Sequence, residues 1–141
     1  MKSGKLIITI AFLFTVSLIY AEDKISIGDT YGTWLNADYN FSGQNAKILI
    51  TPEGIVEEYN KDTDTEPIYR SQRTITASWH DSDGNLWMKC KLVELDMGEK
   101  RYELDKFSDF GKVWELVWRG SDFPDEMSPI GGSYEIHYRQ D

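Results

Sequence analysis

The chain has little of what most catalytic and stapled folds depend on. It holds one cysteine, Cys90, so no internal disulfide can form. It holds two histidines, His80 and His137, whereas a zinc site or a nucleophile–base pair needs several such groups to converge. This pair predicts no catalysis, no metal and no cofactor. No segment carries a convincing helical repeat, and no second long apolar stretch follows residue 21, so no stable membrane insertion is expected beyond that point. Basic residues are also scarce: 15 Lys and Arg stand against 24 Asp and Glu, a net charge of −9. Leaving out Lys2 and Lys5 takes this to −11. Such a surface excludes nucleic acid and anionic membrane as partners, since both select basic patches. It is compatible with a basic protein partner, and equally with a surface kept soluble by its charge.

What is present begins with an address. Lys2 and Lys5 precede an apolar run from Leu6 to Tyr20, and Ala21 supplies a small residue before Glu22. Residues 1–21 therefore read as a secretory signal peptide, the 15 apolar residues being short of the about 20 that a membrane span needs. The expected destination is the periplasm or the exterior. Residues 22–141 then form one domain, large enough to bury a core without staples. Asn40-Phe41-Ser42 is a glycosylation triplet, meaningful only in a host that modifies exported proteins.

Turn signals recur through the domain at hairpin intervals. Apolar-rich runs at 46–50 and 55–59 flank Thr51-Pro52-Glu53-Gly54. An alternating run at 73–79 is followed by Asp81-Ser82-Asp83-Gly84, a long segment at 85–95, the turn 96–99, a run at 100–107, the turn 108–111, and runs at 112–119 and 133–139. With the strand opened by Gly32-Thr33-Trp34, eight strands result. The fold class is all-β, and closure into an eight-stranded antiparallel up-and-down barrel removes exposed edges, with a sandwich as the competing arrangement. Tight turns at 51–54, 81–84 and 108–111 fall at one end. Longer connections around 40–44, 60–72 and 121–132 fall at the other. That asymmetry describes a cup with a closed base and an open mouth, and long loops on a rigid scaffold carry function.

Three short motifs make this chain resemble the lipocalins of the calycin superfamily: Gly32-Thr33-Trp34 at the first strand, Ser108-Asp109-Phe110 in the turn between strands six and seven, and Arg139 near the end of strand eight. The resemblance implies a ligand-binding barrel whose base is closed by Trp34 stacked under Arg139, with Arg119 as the rival arginine. Arg139 is out of phase with Tyr134, Ile136 and Tyr138, so the stacking requires a bulge if those three face inward.

Among the remaining candidates, Asp81-Ser82-Asp83-Gly84-Asn85 lacks the glutamate of a calcium loop and reads as a hairpin turn. Cys90 reads as a core or wall residue, and His137 as a surface residue. The aromatics are the expected ligand contacts. The dominant apolar parity turns Trp79, Met88, Tyr102, Trp114, Trp118 and Tyr134 inward to line the cup, with Leu92, Leu104, Leu116 and Ile136 beside them. The sequence thus predicts a monomeric, non-enzymatic carrier of a small apolar or amphipathic ligand. The alternative is a filled barrel that engages a protein through its mouth loops.

Overall fold

A computed structural model describes residues 24–37 and 46–140; the segment expected to be a signal peptide and the Asn40-Phe41-Ser42 triplet lie outside these residues. A 3-10 turn at Ile27–Thr30 precedes eight strands: β1 (Gly32–Asn36), β2 (Lys47–Ile50), β3 (Ile55–Tyr59), β4 (Tyr69–His80), β5 (Leu86–Glu94), β6 (Lys100–Ser108), β7 (Val113–Arg119) and β8 (Ser133–Gln140). Each strand pairs antiparallel with the next, and β8 returns to β1, closing an up-and-down barrel.

Period-two patterning explains the clearest strand. In β5, Leu86, Met88, Cys90 and Leu92 are buried, while Lys89 and Lys91 alternate with them on the outside. The Asp81 turn before it is set by one carboxylate. Its oxygens accept the backbone N–H groups of Asp83 and Asn85, the Asn85 amide and the Trp87 indole N–H. Those bonds, the Trp87 one foremost, hold the carboxyl down to about 2. The motif is thus occupied with turn formation.

β4 departs from its expected pattern. It begins at Tyr69, four residues before the predicted strand, and its pairing with β5 slips between Ile75 and Ala77. Ile75 opposes the buried Cys90, but Ala77 opposes Lys89 and Trp79 opposes Trp87. The bulge reverses the parity of everything after it. Trp79 is consequently outside, stacked on Trp87 with ring centres 6.1 Å apart.

The lower half of the barrel is solid. Trp34, Phe107 and Trp114 form an aromatic core with ring centres 5.5 to 5.7 Å apart, filled out by Ile48, Ile50, Val56, Leu86, Met88 and Leu116. The segment before β1 crosses beneath as a floor. Ile25 and Thr30 are buried there, the Trp34 indole donates to the Thr30 carbonyl at 3.0 Å, and Arg73 donates to the Thr30 hydroxyl. Arg139 lies opposite Trp34 in the β1–β8 register, with its guanidinium 5.3 Å from the ring centre. It donates to the carbonyls of Asp29 and Tyr31. Gly32 permits this: its φ is +120°, and a Cβ there would meet the Arg139 guanidinium at 3.2 Å. Arg119 instead bonds the Phe123 carbonyl in the β7–β8 connection.

No bulge is needed to bring Arg139 to Trp34, because the inner face of β8 is the other one. Glu135, His137 and Arg139 oppose Leu116, Trp114 and Trp34, so Tyr134, Ile136 and Tyr138 face outward. His137, expected at the surface, is completely buried and stacks on Trp114 with centres 4.8 Å apart.

Candidate functional site

The upper end of the barrel holds a cavity bounded by residues from β3 to β7. Its volume of about 450 Å³ is within the range of small-molecule sites, and it opens at the end where the longer connections lie. Its apolar side is formed by Leu92, Ile68, Tyr69 and Trp118, and its polar side by Glu58, Asn60, Ser71 and Arg101. Glu94, Glu99 and Lys100 edge the mouth.

Glu58, Ser71 and Arg101 come from strand positions in phase with the core, and Asn60 follows the end of β3. β3 alternates so that Val56 and Glu58 point inward. β6 places Arg101, Glu103, Asp105 and Phe107 on one face, opposite Leu92, Cys90, Met88 and Leu86 of β5. In β7 and β8, Trp118 and Leu116 oppose Glu103, Asp105, Ser133 and Glu135. The rings of the barrel therefore change character with height, from aromatic at the base to charged below the mouth.

The centre of the charged layer is Arg101. Its Nη1 donates to Glu58 Oε1 at 3.1 Å, and its guanidinium lies 4.4 Å from the centre of the Trp118 ring. Burial opposes that charge, but Glu58 and Glu103 outweigh it and raise the Arg101 pKa. Glu135 accepts the Asn36 amide. Burial raises its pKa, and raises that of Glu103 further, with Asp105 adding like charge.

One layer lower, Asp105 accepts the Trp114 indole N–H at 2.8 Å, while its second oxygen has no partner among the described residues. Burial pushes its carboxyl up to about 6 despite that bond and the nearby Arg73. Burial, with the like charge of Asp105 and Glu103 added, pushes the Cys90 thiol well above the ordinary thiol range, which makes it a poor nucleophile. Neither ring nitrogen of His137 has a hydrogen-bond partner among the described residues, and burial takes its pKa down to about 3. It is a neutral imidazole across the physiological range.

Of the six residues expected to contact ligand, only Trp118 lines the cavity. Met88 and Trp114 face inward but belong to the packed core below it. Trp79, Tyr102 and Tyr134 face outward, a correction to their predicted orientation. Trp79 is reversed by the β4 bulge. Tyr102 packs edge-on against Phe123 of the β7–β8 connection. Tyr134 donates to Glu115 on the outer wall at 2.6 Å. Leu104 and Ile136 share the outer face with them, Leu104 opposite Val117. Outer aromatics and inner charges invert the usual rule that apolar residues mark the inside, and for that reason parity reasoning missed Arg101, Glu58, Glu103 and Glu135. A signal was available: Arg101, Glu103 and Asp105 are in phase with Phe107.

Among the described residues, no three His, Cys, Asp or Glu side chains converge to hold a metal ion. Comparison with protein-family models, with curated proteins and with solved structures finds no match to the chain.

Proposed function

We propose that this protein is an exported, lipocalin-like barrel that binds a small amphipathic molecule in its cup. The observation that carries the reading is the division of the barrel interior into a solid base and an open upper chamber of about 450 Å³. A barrel that needed only stability would fill that space, since unfilled volume forfeits packing energy. The Gly32-Thr33-Trp34 opening, with Arg139 over Trp34 at the base, supports membership of the calycin group. The chamber's walls favour the amphipathic half of the expected ligand range over a long hydrocarbon, because an apolar chain would desolvate the Arg101–Glu58 pair further and offer it no hydrogen bond. Among the described residues no nucleophile with an activating base lines the chamber, and the reading is of a carrier, not an enzyme.

Titration of the protein with a panel of short amphipathic molecules, followed by tryptophan fluorescence, tests this. Binding should shift or quench the emission, and Trp118→Phe should remove most of that change. An unaltered emission across the panel, with no heat of binding, would discard the reading.

A second reading, docking of a protein partner at the mouth, is favoured by one feature. The mouth carries exposed apolar side chains: Met97 is 80 % exposed and Ile130 89 %. Capture of a partner that is lost on Met97→Lys and Ile130→Lys, with small-molecule binding absent, would select it.

A further inference from the structure

The charged layer beneath the mouth is not balanced. Three carboxyls, Glu58, Glu103 and Glu135, act electrostatically on one guanidinium, Arg101. Glu58 is already bonded to Arg101, and Glu135 accepts the Asn36 amide. Glu103 is buried on the same inner face as Trp118, which lines the cavity, and no hydrogen-bond donor among the described residues reaches its carboxyl. The next acid and base down, Asp105 and Arg73, offset one another, so they leave this excess in place. The chain itself shows what the chamber attracts, because Arg101 rests on the Trp118 face with Glu58 at its edge.

We infer that the cup takes a small organic cation, an amine on a short apolar arm, with its charged head at Glu58, above the deeper carboxyls of Glu103 and Glu135, and its arm along Leu92, Ile68 and Tyr69. The inference rests on the cup being a ligand site. Burial drives Glu103 and Glu135 toward their protonated forms for want of positive charge; an ammonium supplies that charge where water is excluded. The strongly acidic chain adds attraction at long range.

Calorimetric titration of the purified protein at neutral pH with hexylamine, hexanoate and hexanol, matched in arm and different in head charge, separates the possibilities. Hexylamine should bind at least about tenfold more tightly than either of the others. Glu58→Gln should erase most of that preference. Because this change also strips Arg101 of its partner, Glu135→Gln, which keeps the Arg101–Glu58 pair, serves as the second variant and should narrow the same gap. Hexanoate or hexanol binding as tightly as hexylamine would overturn the cation assignment while leaving the cup reading intact. Absence of binding by all three would overturn both.

Discussion

At the scale of single residues, stability is concentrated in a few buried groups with unusual surroundings. Trp34 is fully buried, bonded through its indole to Thr30 and covered by Arg139. Trp34→Ala should cost about 3–5 kcal/mol in denaturant unfolding, the range for truncating a buried large ring. His137 and Asp105 give opposite pH signatures. The His137 pKa is depressed to about 3 from an ordinary 6.5, so the unfolded chain binds the extra proton between those values and stability falls as pH drops through that window. His137→Phe should flatten this acid loss. Asp105 is raised to about 6 from 3.8, so the folded state holds the proton longer and stability falls as pH rises from about 4 to 6. Asp105→Asn should therefore gain on the parent protein between pH 4 and pH 7, by up to about 3 kcal/mol. Unfolding curves at both pH values check the sign. In the sequence, neither residue declares its environment. His137 sits between Ile136 and Tyr138, and only the pairing of Trp114 with it shows which of the three is inside.

At the scale of elements, turns and one bulge decide which way side chains point. Asp109 and Phe110 both have positive φ, 50° and 56°, in the tight turn joining β6 to β7. Phe110 is a poor residue for that conformation and is 81 % exposed, so Phe110→Asn should raise stability by about 0.5–1 kcal/mol, read as a shift of the unfolding midpoint. Gly132 at the start of β8 is the reverse case. A Cβ there would stand 2.4 Å from the Trp118 carbonyl oxygen and 2.9 Å from Arg119 Cγ. Gly132→Ala should cost about 1–3 kcal/mol through the forced shift between β7 and β8, and by the same shift should loosen Trp118 and weaken ligand binding. The β4 bulge had no cue in the sequence: Ile75, Ala77 and Trp79 alternate as an unbroken strand does, and the slip is visible only in the pairing with β5.

At the scale of the whole molecule, the pairing of β1 with β8 makes the barrel one cooperative unit. Removing β8 by ending the chain at Gly132 would expose two strand edges and strip Arg139 from the base. The shortened chain should lose the near-ultraviolet circular dichroism of its packed tryptophans and bind no ligand. Strand number, hairpin order, the closed base and the open mouth were legible in the sequence, because turn residues and the period of two act locally and leave their marks in order along the chain. Trp34 and Arg139 could be matched to a motif for the same reason. The inside of the barrel was not legible. Each strand of this chain offers two plausible faces, one apolar and one mixed, and whether Tyr102 or Glu103 turns inward depends on what the neighbouring strands present across the register. Local chemistry thus determined the barrel. Closure alone, by fixing every strand's phase against its two neighbours, put the charges at its centre.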